Sequence, residues 1–506
     1  MRCPSCGKLD DKVIESRTMA SGDTIRRRRE CISCHFRFTS YEKVEEKPFM
    51  VVKRDGRREP FDRSKIEKGI ERAIEKRSIA TTTVENLVIE VEEESFSKGA
   101  QGDTEVVAGF GCINDVQCYA FAQNSEVNGG AITVAQCSKI KKVYSLAQKT
   151  GCPVIGIYDS NGVLLTEGFE VLNAFGEIVK AATQISGVIP QISIIDGACL
   201  GTSALMANMA DVVVAVKDSD FYVTAPSDET VEQSAKQGGV DIVAEDFDVA
   251  VNEVKKLVAL LPQNNLQGVG FSGECNQPSL VANDASSLED IIASIADDDI
   301  SVELKKDYAE NVMTVLSCVQ GCTTGIIGFK GASLCPSCCY KAEGFIKLCD
   351  AFNIPIITIA NADGLKKDNE AQMLVALTKL TSAYSTATCP KISLVTSQSI
   401  GSAYITLAGK GANADFTLAW EKAVASPLDV ESAVAFLFND RLANGEDRQL
   451  LEAEYKNTIG SAYSAAACGA VDDIFTPEET RTKICEYLGI IINKRETTIP
   501  RKHSVK

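Results

Sequence analysis

Residues 153–162 read PVIGIYDSNG, and residues 355–364, about 200 positions later, read PIITIANADG. Each segment begins with proline, continues as a short apolar run and ends in a glycine-containing turn, which is the pattern of a buried strand. Two further pairs repeat in the same order: PQIS at 190–193 with PKIS at 390–393, and ADVVVAV at 210–216 with ADFTLAW at 414–420. Matching order at near-constant spacing predicts two homologous domains rather than a solenoid of small units.

From about residue 104 onward, short apolar strands alternate with helical stretches and glycine-rich turns, which predicts an α/β fold. In each half, a second strand runs into a turn of small residues that opens a helix, at 196–203 and 397–404. Gly201 and Gly401 occupy corresponding positions there, where backbone amides and a helix N-terminus can approach a bound ligand. Two such amides can form an oxyanion hole that holds a thioester enolate. The alternative is that these small residues only close tight turns.

The first residues of the chain carry two thiolate pairs, Cys3-x-x-Cys6 and Cys31-x-x-Cys34. Four thiolates at this spacing predict a closed tetrahedral zinc site. The segment is too short to fold around its few apolar residues, so we expect zinc to supply most of its folding free energy. A thioredoxin-like reading would need a βαβ setting, and haem attachment through His35 would need export. We therefore expect His35 to be a spectator.

The charge of the chain is uneven. The net charge is -17, yet residues 1–58 contain 15 Lys and Arg against 9 Asp and Glu. Only this end is suited to a polyanionic partner. The basic residues concentrate in one run with two neighbours, and these are the candidate DNA contacts: Arg17, Arg26, Arg27, Arg28, Arg29 and Arg37. Guanidinium groups on a ribbon can clamp phosphates and reach base edges, whereas the alternative is a solvated charge run.

Residues 48–66, PFMVVKRDGRREPFDRSKI, predict a β-hairpin followed by a helix. Its first strand is expected at 50–53 and its turn at Arg54-Asp55-Gly56. Ser64 is the expected cap of a helix that begins at Lys65.

The strings MRCPSCG, CISCHFRFTSYE and VVKRDGRREPFDRSK resemble the zinc ribbon and ATP-cone opening of NrdR-type repressors of ribonucleotide reductase genes. The resemblance covers about residues 1–94 and implies zinc at the four cysteines and double-stranded operator DNA at the arginine run. It also implies ATP or dATP at Lys53, Arg54, Arg58 and Lys65. After VENLVIEVEEE the chain changes character, which predicts a partial ATP-cone.

The strings SGVIPQISII, KLCDAFNIPIITI and GSAYITLAGKGANADFTLAW resemble the crotonase-type halves of biotin-dependent carboxyltransferases. These are the β chains of acyl-CoA carboxylases and the α chains of methylmalonyl-CoA decarboxylases, and the resemblance covers about residues 101–506. It implies an N-half that binds acyl-CoA and a C-half that binds biotin, meeting across a subunit interface of a homo-oligomer. It assigns the thioester carbonyl to the amides of Asn161 and Gly162, and the biotin ureido oxygen to those of Ser402 and Ala403. The family's SGGAR string appears here as SNGVL.

A second cysteine cluster consists of Cys318-x3-Cys322 and Cys335-x2-Cys338-Cys339. The spacing could bind a second zinc ion. The alternative is reduced, buried structural thiols on strands and turns, since the chain has 19 cysteines in mostly apolar surroundings.

Together these patterns predict a multidomain chain: a β zinc ribbon at 1–46, a partial α+β ATP-cone at 47–98, and two crotonase/ClpP-like α/β domains at 101–285 and 290–506. The first functional hypothesis is a zinc-dependent, nucleotide-responsive repressor fused to a carboxyltransferase-like module. The alternative is a carboxyltransferase with a vestigial head, and a third reading joins two neighbouring genes. No AMKM-type biotin-attachment string occurs, so a biotin carboxyl carrier protein is the expected partner. Without a long uncharged apolar run or an apolar signal segment, we expect no membrane insertion and a cytoplasmic location.

Overall fold

The computed structural model describes residues 4–18, 24–43, 50–52, 58–60, 106–224, 227–269, 275–412 and 414–497. The chain divides into two compact units, an N-terminal unit of Met1–Gly102 and a body of Asp103–Lys506.

The N-terminal unit contains a three-stranded antiparallel sheet in the order β1-β2-β3, formed by β1 (Asp11–Thr18), β2 (Thr24–Cys31) and β3 (Arg37–Lys43). A separate hairpin joins β4 (Met50–Val52) to β5 (Arg58–Pro60), with Val52 opposite Arg58. The predicted pairing of two strands here is therefore confirmed, whereas Lys53 and the predicted turn at Arg54-Asp55-Gly56 lie outside the described residues. The helix predicted to begin at Lys65 and the rest of the predicted cone lie outside the described residues.

The body begins with the N-half, whose elements alternate between strand and helix as the sequence predicted. They are β6 (Val106–Ile113), β7 (Val116–Gln123), α1 (Val134–Thr150), β8 (Val154–Ser160), α2 (Phe169–Ile185), β9 (Gln191–Leu200), α3 (Thr202–Ala207), β10 (Val212–Val216), β11 (Asp220–Tyr222), α4 (Val231–Lys236), β12 (Ile242–Ala244) and α5 (Phe247–Leu260).

The C-half follows with the same succession and several additions. Its elements are α6 (Leu288–Ile295), β13 (Ser301–Glu303), β14 (Val312–Val319), β15 (Cys322–Phe329), α7 (Pro336–Ala351), β16 (Ile356–Ala362), α8 (Glu370–Thr386), β17 (Lys391–Ile400), α9 (Ser402–Leu407), β18 (Phe416–Trp420), β19 (Val424–Ser426), α10 (Val430–Leu437), α11 (Asn439–Ala443), α12 (Arg448–Asn457), α13 (Ala462–Ala467), β20 (Asp473–Phe475) and α14 (Thr480–Ile491).

The two halves have the same sheet topology except for β13, an edge strand that only the C-half has. The N-half orders its strands β12-β10-β9-β8-β7-β6, with β11 paired to β9, and the C-half orders them β20-β18-β17-β16-β15-β14-β13, with β19 paired to β17. In each sheet one antiparallel hairpin continues into parallel strands. Even the irregularities agree, because the register shifts between Tyr158 and Ser160 in one half and between Ala360 and Ala362 in the other. The duplication read from the sequence is thus a structural one.

Buried side chains repeat with the strands. Ser193 Oγ donates to the carbonyl of Ala207 at 2.8 Å, and Ser393 Oγ donates to that of Leu407 at 2.7 Å. Each bond ties the central strand of a sheet to the short helix that follows it, because the hydroxyl satisfies a buried helix-end carbonyl. The turns before these helices are therefore held in the same way in both halves.

One apolar core runs through both halves of the body. The last helix of the N-half, α5, packs against β10 of its own sheet and against β13 and β14 of the C-half. Its side chains Val254, Leu257 and Val258 are at most 2 % exposed and belong to the same cluster as Ile194 and Leu316. At about 1.5–3 kcal/mol for each large aliphatic side chain buried, this helix contributes to the apolar core that the two halves share.

In the part of the chain that the structure describes, no helix combines the length and the hydropathy that crossing a membrane requires.

Candidate functional site

Three of the four predicted zinc ligands meet at one point. The sulfur atoms of Cys6, Cys31 and Cys34 all lie within 4.8 Å of one another, and those of Cys6 and Cys31 are 3.6 Å apart. Cys3 lies outside the described residues. Three thiolates at this separation fit a tetrahedral zinc ion, whose bonds to sulfur are about 2.3 Å long. His35 is exposed and does not belong to the group, as expected of a spectator.

The second knuckle is built to stabilise a thiolate. The backbone amides of Cys34 and Ser33 lie against the Cys31 sulfur and, with the neighbouring thiols, lower the pKa of Cys31 to about 7. Amides that point at a sulfur favour its charged form, and only the thiolate binds metal. Cys31 is fully buried at the end of β2, so the strand itself positions this ligand.

The predicted DNA contacts occupy the strands of the ribbon. The arginine run lies in β2, the central strand, and Arg17 lies in β1 opposite Arg26. Arg28 is exposed whereas Arg29 is half-buried, as expected of consecutive residues on a strand. The side chains of Arg17, Arg26 and Arg27 lie outside the described set, so the role of the arginine run in DNA binding stays a prediction.

Arg37 has a partner within the chain. Its Nε donates to Glu30 Oε2 at 2.7 Å, and Lys12 Nζ lies 3.2 Å from the other oxygen of the same carboxylate. The hydrogen bonds from Arg37 and Lys12 lower the pKa of Glu30 to about 2. Glu30 thus compensates two basic residues next to the cysteine cluster. The net positive charge next to the cysteine cluster is therefore smaller than the number of Lys and Arg residues there suggests.

Of the residues assigned to ATP or dATP, Lys53, Arg54 and Lys65 lie outside the described residues. Arg58 is the first residue of β5, and only its backbone is described. The nucleotide site therefore stays a prediction.

In the body, the turn after β8 carries Asn161 and Gly162, the predicted donors to a thioester. Both amides already have partners: the Asn161 amide donates to the carbonyl of Gly129 at 3.1 Å, and the Gly162 amide donates to Ser160 Oγ at 3.2 Å. The residue Asn161 as a whole is exposed. Neither amide is available to a ligand in this conformation.

The next amide in the same turn is available. Val163 forms a parallel bridge with Ile132, in which the Ile132 amide donates to Gly162 O at 2.7 Å and the Leu164 amide donates to Ile132 O at 2.9 Å. Residue alternation turns the Val163 amide away from this bridge, and it has no acceptor among the described residues. The Val163 amide is thus a candidate donor, one position after the predicted donor Gly162.

The turn after β9 supplies a second donor beside the first. Gly201 has φ 60° and ψ -120°, a backbone conformation that side-chain-bearing residues rarely adopt. It opens α3, whose first amides, those of Thr202 and Ser203, have no backbone acceptor among the described residues, as expected at a helix start. A Cβ added to Gly162 would lie 3.5 Å from the carbonyl of Leu200, so the two turns are adjacent.

Buried hydroxyls hold the two N-half turns together. Ser203 Oγ donates to Ser160 Oγ at 3.0 Å, and both side chains are fully buried. Ser160 in turn accepts from the Gly162 amide. Because every group in this chain of bonds is satisfied, the network fixes the spacing of the candidate amides.

The C-half repeats the arrangement with a different lining. Leu334 bridges Leu365 in the manner of Ile132 and Val163, which leaves the Leu365 amide without an acceptor among the described residues. Gly401 has φ 54° and ψ -125°, nearly the values of Gly201. The predicted donors Ser402 and Ala403 follow it as the first residues of α9, and their amides also have no acceptor in the described part of the chain.

The two halves differ in charge near these turns. Asp159 lies near the carboxyl end of β8 and Asp196 lies within β9, and Asp159 accepts from the Ala198 amide at 3.1 Å. Burial, and then the charge of Asp159, raises the pKa of Asp196. The corresponding residues of the C-half are the uncharged Asn361 and Thr396. The duplicated turns are therefore not chemically equivalent.

A cavity of about 560 Å³ opens at the carboxyl ends of the C-half strands, where ligands of parallel sheets commonly bind. Trp420 and Asn361 form part of its wall, and Lys330 and Lys422 lie at its rim. Lys330 pairs with Glu289 at 2.7 Å. This cavity was not predicted from the sequence, where the only signal was a lysine within two residues of each of two strand ends, those of β15 and β18.

The second cysteine cluster does not form a metal site in the described part of the chain, where the cysteines of the head are the only such group. Cys335 and Cys338 instead form a disulfide at the N-terminus of α7, with Cα atoms 5.1 Å apart. The expectation that these cysteines are reduced thiols on strands and turns is wrong for this pair. It holds for Cys318 and Cys322, which are free and lie on β14 and β15.

Comparison with known proteins assigns both parts of the chain. Residues 77–505 match the family model described as carboxyl transferase domain. Residues 1–42 match that of the transcriptional repressor NrdR-like N-terminal domain, a zinc ribbon. The carboxyl transferase match begins inside the segment predicted as a partial ATP-cone, and the cone itself is not confirmed.

Relatives along the body carry related activities. The α subunit of methylmalonyl-CoA decarboxylase from Propionigenium modestum is 30 % identical over 79 % of this chain and 84 % of its own length. The mitochondrial propionyl-CoA carboxylase β chain of Sus scrofa is 33 % identical over 80 % of each chain. A solved transcarboxylase 12S, described as a hexamer with methylmalonyl-CoA bound, superposes with a TM-score of 0.74 at 30 % identity, covering 79 % of this chain and 84 % of its own.

The fold and the paired turns define a crotonase-like carboxyltransferase body behind a zinc ribbon. The chain belongs to the carboxyl transferase domain family, and it carries an NrdR-like zinc ribbon at its N-terminus.

Proposed function

We propose that the body transfers a carboxyl group between biotin, attached to a separate carrier protein, and an acyl-CoA. The observation that carries this proposal is the duplicated pair of free amides, each set beside a glycine in the same unusual conformation. An acyl-CoA that loses its α-proton or its carboxylate places negative charge on the thioester oxygen. Fixed amides that meet this charge lower the barrier, and losing one such donor costs about 10²–10³ in rate.

In the N-half, the amides of Val163 and Thr202 are the proposed pair for the thioester oxygen. This replaces the assignment to Asn161 and Gly162, whose amides are donated within the chain. The buried hydroxyls of Ser160 and Ser203 set the spacing of the pair. Asn161 stands where the family string SGGAR has its first glycine. This difference is compatible with activity, because the exposed Asn161 residue is not one of the two donors Val163 and Thr202.

In the C-half, the amides of Leu365, Ser402 and Ala403 are the proposed donors to the ureido oxygen of biotin. Carboxybiotin would supply the carboxyl group, and the chain's amides would stabilise the charge left on the ureido oxygen.

Exposed apolar side chains support assembly with further copies. Leu165 and Phe169 of the N-half are 85 % and 83 % exposed, and Phe436 and Leu374 of the C-half are 77 % and 65 % exposed. Apolar surface of this kind commonly marks an interface. We propose that the N-half of one subunit faces the C-half of another, which would bring an acyl-CoA turn and a biotin turn together in a homo-oligomer.

The test is carboxyl transfer by the purified full chain. We would supply malonyl-CoA, methylmalonyl-CoA and free biotin or a biotinylated carrier protein, and follow loss of the CoA-bound carboxyl group. Biotin-dependent decarboxylation of one acyl-CoA supports the proposal. A folded oligomer that shows no biotin-dependent turnover with any of them contradicts it.

A second proposed function belongs to the head: a zinc-dependent repressor that binds operator DNA. It is favoured by the converging sulfurs of Cys6, Cys31 and Cys34 and by the exposed Arg28 on β2, the strand that ends at Cys31. The other predicted arginines are Arg17, Arg26, Arg27 and Arg29, and Arg37 would first have to leave Glu30.

The test for the head is binding of the full chain to promoter DNA of ribonucleotide reductase genes, with and without a zinc chelator. Loss of specific binding on chelation, and a weaker salt dependence in Arg28→Ala, support a phosphate contact. Adding ATP or dATP tests the nucleotide site proposed at Lys53, Arg54, Arg58 and Lys65. Binding that is equal for unrelated DNA contradicts the repressor proposal.

A further inference from the structure

The disulfide between Cys335 and Cys338 lies at the N-terminus of a 16-residue helix. Cys335 is the N-cap of α7, its sulfur accepts the amide of Cys338 at 3.3 Å, and Pro336 occupies the first turn. The Cα atoms are 5.1 Å apart, inside the range of 4.4–6.8 Å that a disulfide spans without backbone movement. The backbone of this helix start therefore accommodates the bonded pair without movement.

The duplicated half shows that the fold does not need cysteine here. At the corresponding start of α1, Thr133 is the N-cap and its Oγ1 accepts the amide of Gln136 at 3.2 Å. Threonine caps a helix at least as well as a sulfur atom, because its oxygen is the stronger acceptor. The C-half thus carries two cysteines where the N-half solves the same structural problem with Thr and Gln.

The two sulfurs differ in accessibility. Cys335 is half-buried, whereas Cys338 is 1 % exposed. A reagent can therefore reach Cys335 but not Cys338. Helix amides also favour the thiolate of a cysteine at a helix start. One sulfur is placed to attack and the other to resolve.

Neighbouring cysteines are built differently. Burial raises the pKa of Cys339 and of Cys322 to about 12, and burial also raises that of Cys318. Thiols of this kind are protonated at neutral pH and unreactive. The chemistry is confined to the pair at the helix start.

We propose that Cys335 and Cys338 form a dithiol–disulfide exchange site that reacts with low-molecular-weight thiols and disulfides. The Cys335 thiolate attacks a disulfide RSSR, so that a Cys335–SR bond forms while the S–S bond breaks and one RS⁻ leaves. The Cys338 thiolate then attacks the Cys335 sulfur and releases the second RS⁻. Two electrons pass from the cysteine pair to the disulfide, and the two thiol protons end on two RSH molecules.

The cysteine pair lies next to the C-half turn that carries the Leu365 amide. Leu334, directly before Cys335, donates its amide to Gly364 O at 3.0 Å and accepts from the Lys366 amide at 2.9 Å. These bonds hold the C-half turn that carries the Leu365 amide. A group attached to Cys335 would lie one residue from this bridge.

The experiment treats the full chain with glutathione disulfide, alkylates the remaining thiols and maps the peptides by mass. We expect residues 335 and 338 to carry an internal disulfide and to be alkylated again after excess reduced glutathione. In Cys338→Ser, residue 335 should retain glutathione as a stable mixed disulfide. In Cys335→Thr, which copies the cap of the N-half, Cys338 should stay reduced because glutathione cannot reach it.

Cys468 provides the matched control, as an exposed cysteine of the described chain without such a setting. We expect reduced Cys335 to react about threefold faster than Cys468 at pH 7, because the amides at a helix start favour the thiolate while a more stable thiolate is a weaker nucleophile. Full alkylation of both residues after treatment with glutathione disulfide, or no adduct on Cys335 in Cys338→Ser, would overturn the proposal. Unchanged circular dichroism of the variants excludes misfolding as the cause.

Discussion

Replacing Gly201 by alanine tests the proposed acyl-CoA site most directly. The glycine has φ 60° and ψ -120°, and a Cβ added there meets nothing within 4 Å. The cost is therefore one of backbone conformation alone, about 1–3 kcal/mol. Two bonds keep the chain from relaxing: the Gly201 amide donates to Tyr222 O at 3.0 Å, and its carbonyl accepts from Leu205 at 3.2 Å.

Relief of this strain would rotate the peptide that carries the Thr202 amide. If that amide is one of the two donors to the thioester oxygen, its loss lowers kcat by about 10²–10³. The free energy of unfolding of the body should fall by only about 1–3 kcal/mol, which leaves the protein folded at 25 °C. Activity should thus fall far more than stability.

The assay is biotin-dependent decarboxylation of the acyl-CoA, paired with urea unfolding of the same samples. Gly176→Ala is the control, because Gly176 lies exposed within α2 with open space around it, and alanine there should stabilise the helix by up to about 1 kcal/mol. A folded Gly201→Ala protein with activity within twofold of the wild type would refute the assignment of the Thr202 amide.

Three further predictions concern other parts of the chain. Cys31→Ser should abolish zinc binding and unfold the head while the thermal transition of the body stays in place, as metal analysis and calorimetry would show; full zinc content in the variant would contradict the ribbon. Arg481→Met should lower the free energy of unfolding, measured in urea, by about 3–5 kcal/mol, because it leaves the fully buried Asp297 carboxylate, 2.6 Å away, without its cation. Glu454→Gln, which breaks an exposed ion pair with Arg441, is the control and should lower it by under about 1 kcal/mol. Burial lowers the pKa of Lys341 to about 8, below its value of 10.5 in the unfolded chain. The unfolded state therefore binds more protons than the folded state between these pH values, and the free energy of unfolding should rise with pH there by at most about 3 kcal/mol. Lys341→Met should remove that rise in urea unfolding measured across this pH range, and an unchanged slope would contradict the prediction.

The sequence predicted the architecture of the body because its signals are local and occur twice. Proline, an apolar run and a glycine turn recur in each half, so that β8 and β16 could be paired before any coordinates were known. The sulfur cluster of the head followed in the same way from the spacing of its cysteines.

The donor amides could not be read from the sequence, because their availability depends on remote partners. Whether Asn161 or Val163 offers a free amide is decided by Gly129 and Ile132, about 30 residues earlier, and no spacing rule reports those bonds. The disulfide is a similar case. The string CPSC at 335–338 has the spacing of a metal-binding pair, and it is identical to the string at 3–6, so only its position at a helix start distinguishes the two.

The shared helix α5 has a consequence for how such a tandem chain could arise. It closes the first repeat, yet part of its apolar stripe packs against β13 and β14 of the second. A single ancestral repeat would have exposed that stripe to water, and a second identical molecule is its most economical cover. Gene duplication would then have joined the two subunits of an existing homodimer into one chain.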